Sequence, residues 1–232
     1  MSELVVYGLP GPAPLCSASP YVLKLCTWLR EAQIPYRYEI PSGPPGSPSG
    51  KVPYVRLPDG TLLEDSHVII EHLARSHGVP GPVDPAQHPS AHAALRLVED
   101  SLYWTLIWER WCTDAGFAVV KADYFTHMPA WVRPVVATMV RRQVRGLAKA
   151  QGISRMPESL ILARARADLL ALAGLLGDQA RFVPGPNEVD ASVFSTLAQL
   201  LVQPPECAGA TLLDPHLTLR AYHDRIQADC WG

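Results

Sequence analysis

Long apolar runs are missing from this 232-residue chain. The most apolar stretch, Leu160 to Leu176, is interrupted by Arg164, Arg166 and Asp168. It falls short of the roughly 20 uninterrupted apolar residues that a membrane helix needs, so no membrane partner is expected. The start, Met1-Ser2-Glu3-Leu4, has no basic segment followed by an apolar one, so no secretory leader is expected. Cysteine is scarce: Cys16, Cys26, Cys112, Cys207 and Cys230 are odd in number and include no CxxC pair. This argues against a disulfide framework and against a cysteine-based structural zinc site, and a reducing, cytoplasmic setting is expected.

Charge is thin as well. Charged residues make up 18% of the chain and the formal net charge is −2, which gives no electrostatic reason to expect a nucleic-acid partner. Arg133, Arg141, Arg142, Arg145 and Lys149 gather on one predicted helix, but the domain is not basic overall and aromatics are not interleaved. A solvated helix face is the expectation. His88 and His92 are four apart without a third ligand, and His67, His72 and His77 step by five and share no helix face, so no metal site is expected. Neither a glycine-rich phosphate loop nor a Gly-x-Ser-x-Gly elbow occurs.

Proline is what the chain has in excess. There are 23, fifteen of them in the first 89 residues, against an apolar fraction of 48% that is ample for a core. The first half is therefore cut into short elements. Leu4 to Tyr7 reads as a buried strand ended by Gly8 and Pro10. Ser19-Pro20 starts a helix, with Ser19 as N-cap, Pro20 in the first turn, and Val22, Leu25, Cys26 and Leu29 as one apolar stripe. Tyr36 to Ile40 reads as a second strand, and the Pro, Gly and Ser residues of Pro41 to Gly50 as a loop. Pro53 to Leu57 and Thr61 to Glu64 form a hairpin around Pro58-Asp59-Gly60. Asp65-Ser66 then caps a helix whose core face is Ile69, Ile70 and Leu73.

Beyond the Gly- and Pro-rich stretch from Gly78 to Pro89, nearly everything has helical spacing. Helices are predicted near Ala91–Gly116, Trp131–Gln151, Pro157–Leu176, Val189–Val202 and His216–Ala228, with Asn187 capping the fourth. This divides the chain into an α/β domain over 1–79, a linker over 80–89 and an all-helical domain over 90–232.

A small α/β domain followed by a helical one resembles the glutathione transferase superfamily, and three motifs agree in order. They are Cys16-Ser17-Ala18-Ser19-Pro20-Tyr21, Gly50-Lys51-Val52-Pro53-Tyr54-Val55, and Asp65-Ser66 through Leu73. The run Ser19 to Leu29 looks most like the branch with metaxins and the failed-axon-connections proteins. Phe182 to Gly185 and Asp190-Ala191-Ser192 resemble the corresponding passage of the helical half.

The resemblance implies a thioredoxin-like first domain in which Pro53 follows a cis bond. The backbone of Val52 would then pair with the cysteinyl part of glutathione, as a short strand would. Lys51 is placed to reach a terminal carboxylate. Asp65 and Ser66 would hold the γ-glutamyl head group, with Asp65 on the ammonium and Ser66 and the helix N-terminus on the carboxylate. A helix cap alone is the plainer reading of the same pair. For thiol activation the candidates are Ser19, Cys16 and Ser17, with Tyr7 at the end of the first strand. The serine-type Ser-x-Pro pattern is absent because Ala18 stands in its place. Tyr7, Tyr103, Trp104 and Trp108 are the expected electrophile pocket. Trp104, Trp108 and Trp111 also have the spacing of a core stripe.

The implied function is conjugation of glutathione, as co-substrate and without another cofactor, to a small apolar electrophile in detoxification-type chemistry, by a homodimer. Two alternatives stay open. One is thiol transfer or reduction through a mixed disulfide on Cys16. The other is a non-catalytic binding or scaffold role in the same fold.

Overall fold

In the computed structural model the described residues are 3–43, 45–207 and 209–232. Met1 and Ser2, which open the N-terminal reading, and Pro44 of the expected loop lie outside them. The first half runs β1 (Val5–Tyr7), α1 (Pro20–Glu31), β2 (Arg37–Glu39), β3 (Tyr54–Arg56), β4 (Leu62–Glu64) and α2 (Ser66–His77). The strands form one sheet in the order β2-β1-β3-β4, with β1 parallel to β2 and antiparallel to β3.

Side chains alternate across this sheet as the pleat requires. Leu4, Val6, Val55 and Leu57 face α1 and α2 and share a core with Leu25, Trp28, Ile69 and Ile70. Tyr7 and Tyr54 face the other way and stack with ring centroids 4.5 Å apart. The β2–β3 connection supplies the cover there, since Gly46 N donates to Tyr54 Oη at 3.2 Å. Its proline, glycine and serine content is incompatible with a helix, and it forms none among the described residues.

Helix α1 starts as expected. Ser19 Oγ accepts from Val22 N and Pro20 occupies the first turn. Burial goes further than one stripe, because every residue from Val22 to Leu29 is buried. Leu25, Cys26, Trp28 and Leu29 fill the sheet side, while Leu23 belongs to the core of the helical half. The element that closes the other side is α8 (Glu188–Leu201), itself buried from Glu188 to Leu200. Each domain's innermost helix is thus packed against the other's.

The helical half runs α3 (Pro89–Arg96), a π-helical segment (Leu97–Leu102), α4 (Tyr103–Cys112), α5 (Asp114–Asp123), α6 (Arg133–Gln151), a 3-10 turn (Ile153–Arg155), α7 (Glu158–Leu176), α8, α9 (Gly209–Leu212) and α10 (Leu217–Trp231). One expectation needs correction. The helix predicted over 91–116 breaks at Thr113, whose Oγ1 accepts from Gly116 N at 3.1 Å and caps α5, an element the periodicity did not resolve. Glycine is required there, because a Cβ on Gly116 would sit 2.1 Å from Glu109 O. The short α9 was also unforeseen.

The basic group on α6 is not uniformly solvated either. Arg141 Nε donates to Trp111 O and its Nη2 to Thr113 O, both at 3.0 Å, so it satisfies carbonyls left open by the break. Arg133 does the same for Met128 and Thr126. Only Arg142, Arg145 and Lys149 are exposed. No described helix is long and apolar enough to cross a membrane.

Candidate active site

Strand pairing brings three chain segments to one end of the sheet. Tyr7 pairs with Tyr54, and Tyr54 with Glu64. The residues just outside those pairs therefore adjoin: the β1–α1 loop after Tyr7, Val52-Pro53 before Tyr54, and Asp65-Ser66 after Glu64. These are the three segments singled out in the sequence.

Asp65 is the most constrained of them. Its backbone has φ 71° and ψ 124°, a conformation rare for a residue with a side chain, with a typical cost of about 1–3 kcal/mol. Its Oδ1 accepts from His67 N at 2.9 Å and Val68 N at 3.3 Å, so it does cap α2. Ser66 is buried beneath it, and Asp65 itself is exposed. Next to it, Glu64 Oε2 accepts from Ser49 N at 3.0 Å and Ser49 Oγ at 2.7 Å. Those donors hold the Glu64 carboxyl below its ordinary value. Ser47 Oγ accepts from Lys51 N and donates to Lys51 O, which fixes the peptide leading into Val52. The Val52–Pro53 bond is cis, and Lys51 is exposed.

The β1–α1 loop is held by the other domain. Gln199 Nε2 donates to Ser17 O at 2.8 Å, and Arg110 Nη1 donates to Ala18 O at 3.0 Å. Ser17 is fully buried, with its Oγ accepting from Ser19 N. Ser19 is half-buried at the helix start.

Cys16 is placed differently from expectation. It packs against the core cluster that holds Cys26, and the Cys26 thiol beside it together with burial pushes its own thiol far above the ordinary range. It lines a cavity of about 830 Å³ with Pro10, Arg30, Tyr36 and Tyr38, at the β2 edge of the sheet. Asp65 follows β4, the opposite edge. A thiol so placed is neither at the helix N-terminus nor stabilised as a thiolate.

The aromatic residues divide. Tyr21, in the first turn of α1, donates to Glu99 O at 3.3 Å and meets Tyr103 with centroids 5.1 Å apart. Trp104 touches Tyr103 edge-on at 5.6 Å. Trp111 packs with Ala18, Tyr124 and Phe125 and so borders the β1–α1 loop. Two expected pocket members make other contacts. Trp108 is buried among Ala148, Ile153 and Ile161, and Tyr7 stacks on Tyr54 with its hydroxyl accepting from Arg56 Nε. Burial pushes the Tyr21 and Tyr103 hydroxyls up, further from ionisation.

Behind the start of α2 lies a charge cluster, buried at Lys24 and Glu188 and exposed at His67. Lys24 Nζ is 2.8 Å from Glu99 Oε1 and 3.5 Å from Glu188 Oε2, and His67 Nδ1 is 2.8 Å from the same Glu188 oxygen. Ser192 Oγ donates to Glu99 Oε1 at 2.8 Å. Sequence reasoning missed Lys24, Tyr21, Arg110 and Gln199. The charged pair Glu109-Arg110 flanked by Trp108 and Trp111 was the available signal. Among the described residues, no group of three or more His, Cys, Asp or Glu is arranged to hold a metal ion.

Residues 20–116 match the family description "Glutathione S-transferase N-terminal domain", and residues 165–226 match "Glutathione S-transferase, C-terminal domain". Isoprene-epoxide–glutathione S-transferase of Rhodococcus sp. (strain AD45) is 30% identical over 240 residues, covering 97% of this chain and 98% of the relative. The chain belongs to the glutathione S-transferase family. Within that family setting it is also similar to human metaxin-2, at 26% identity over 157 residues, 67% of this chain and 60% of metaxin-2. The solved structure of glutathione transferase GSTFuA3 from Phanerochaete chrysosporium aligns over 99% of this transferase-family chain and 98% of its own. Its TM-score is 0.71 at 16% identity, which is a likeness of fold. A thioredoxin-like first domain and a helical second domain are the architecture of this family member.

Proposed function

We propose that this chain binds glutathione at the three-segment end of its sheet and conjugates the thiolate to a small electrophile, with an epoxide as the first candidate. The observation that carries the reading is Asp65. An exposed carboxylate held at a positive φ, whose Oδ1 caps His67 N and Val68 N, stands at the positive end of the α2 dipole and so sets both signs of charge within one residue step. That suits the zwitterionic γ-glutamyl end of glutathione, and the strain there calls for a functional account.

The rest of the tripeptide follows the same chain geometry. The Val52 backbone would pair with the cysteinyl amides and Lys51 with the glycyl carboxylate. This brings the sulfur to the start of α1, near Ser19, where helix N–H groups favour an anion. The thiol proton leaves to water, and the thiolate attacks one ring carbon. The C–O bond to that carbon breaks, and the alkoxide takes a proton. Tyr103, a phenol whose ionisation burial disfavours, is the proposed proton donor. The epoxide is favoured by the name of the Rhodococcus relative, which is alike over nearly the full length.

Calorimetry with glutathione tests the site. Binding in the micromolar to millimolar range is expected, weakened at least about tenfold in Asp65→Ala, the usual size of a lost charged contact. No heat at millimolar glutathione overturns the reading. Binding without turnover of any small epoxide leaves a glutathione-binding protein without this chemistry. The homodimer implied by the family resemblance is read by sedimentation.

A further inference from the structure

Arg110, in the middle of α4, is 4% exposed, yet no carboxylate of the described residues forms an ion pair with it. Its partners are all neutral. Nη1 donates to Ala18 O at 3.0 Å, and Nη2 donates to Gln199 O at 3.3 Å and to Gln199 Oε1. Its Nε has no partner, and the Tyr124 ring lies 5.7 Å from the guanidinium carbon. The adjacent carboxylate, Glu109, accepts from Gly209 N at 2.7 Å instead.

A buried guanidinium is costly unless a negative charge answers it. Here the cation is hydrogen-bonded to the peptide that immediately precedes Ser19. Gln199 completes the clamp by donating to Ser17 O at 2.8 Å, so two side chains of the helical domain hold two successive carbonyls of the loop. The field of the cation is felt nearby. Burial raises the Tyr103 and Tyr124 hydroxyls, and the Arg110 charge pulls both back down.

We propose that Arg110 and Gln199 are positioning residues of the transferase site, fixing the Ser17–Ala18 peptide into α1, and that Arg110 is a buried positive charge whose missing counter-ion is the glutathione thiolate. This rests on the transferase reading above. Glutathione arrives as a thiol and loses its proton to water, and the anion then faces a cation that is already desolvated and oriented. Such a charge needs no rearrangement when the thiolate forms, which is the condition for electrostatic preorganisation. A merely structural Arg110 would tie α4 to the loop and leave the ionisation of glutathione untouched.

The test follows the thiolate's ultraviolet absorbance against pH on glutathione-saturated protein, with kcat and KM measured in parallel. In wild type the midpoint lies below that of free glutathione. In Arg110→Gln it rises by about 1–2 pH units, the usual effect of losing one nearby opposite charge. At neutral pH kcat then falls about tenfold or more, while KM for glutathione moves less than about threefold. Arg110→Lys restores most of the midpoint, because it keeps the charge and loses only the fork. Gln199→Glu sets a carboxylate against Arg110 at constant side-chain size and raises the midpoint as well. It also provides a readout where Arg110→Gln fails to fold. Unchanged midpoints in folded Arg110→Gln or Gln199→Glu overturn the proposal. A wild-type protein that binds glutathione without depressing its midpoint overturns it too, and leaves the binding site standing. Absence of glutathione binding is the separate result that sinks the transferase reading itself.

Discussion

A thiol reacts as its anion, and Cys16 is held away from that state. Its contact with Cys26 and its burial both favour the protonated form. Treatment with oxidised glutathione should therefore leave no glutathione adduct on Cys16, read by intact mass and peptide mapping. An adduct there would reopen the thiol-transfer reading. Glu64 titrates in the opposite sense. The Ser49 N–H and hydroxyl depress its carboxyl, so the stability it contributes is present above the unfolded value near 4.5 and is lost as pH falls through the lower folded value. Glu64→Gln should flatten that acid limb in a denaturation series across pH 3 to 5, roughly the ordinary carboxylate range. At this scale the sequence was readable wherever one residue's role is set by its immediate neighbours. Ser19, Asp65 and Asn187 are caps because a short oxygen-bearing side chain meets free N–H groups two or three residues on. It was unreadable where the partner is remote. Arg110 meets Ala18 across 92 residues and Gln199 meets Ser17 across 182.

Among the elements, the start of α8 gathers four side-chain and backbone donors on one carboxylate. Asp190 is fully buried and accepts from Phe182 N, Val183 N, Asn187 Nδ2 and Tyr222 Oη. Asp190→Ala should cost about 3 kcal/mol or more in chemical denaturation, because several buried donors lose their acceptor together. Asn187→Ala should cost nearer 1–2 kcal/mol, the usual range for a lost cap. Equal effects would mean that the loop before α8 is not organised by Asp190. Helix periods gave the helices themselves, but a period does not say which neighbour each face meets. Trp104, Trp108 and Trp111 fit one stripe on paper. In the fold Trp108 faces Ile153 and Ile161, while Trp111 faces Ala18 and Tyr124. The break at Thr113 was hidden because an apolar pattern runs on either side of it, and what stops the helix is a side-chain cap and a tight glycine contact.

For the whole molecule, the Lys24 cluster joins the two domains through charge as well as through packing. The Lys24 side chain is 2% exposed and sits between Glu99, from the helical domain, and Glu188 at the start of α8. Removing it leaves two carboxylates with less positive charge, and breaking a buried pair in this way typically costs about 3–5 kcal/mol. Lys24→Ala should fall near the lower end of that range, because Arg96 and His67 remain as partners. A loss below about 0.5 kcal/mol would place the interface energy in packing alone. Tryptophan fluorescence and far-ultraviolet dichroism should show coincident unfolding transitions, since Trp28 reports the first domain and Trp104, Trp108 and Trp111 the second. Two separated transitions would contradict the shared core.

That helix α1 has no free side from Val22 to Leu29 has a consequence for how this protein can be taken apart. A cut in the Gly78–Pro89 linker respects the chain but divides a single wall between two rooms. The first piece would carry Leu23, Lys24 and Thr27 into water, and the second would bare the flank of α8 with Glu188 still pointing at a lysine no longer there. Neither half should be obtainable as a soluble, well-folded fragment on its own. Mixing the halves should restore the fold only if they are present together as they refold.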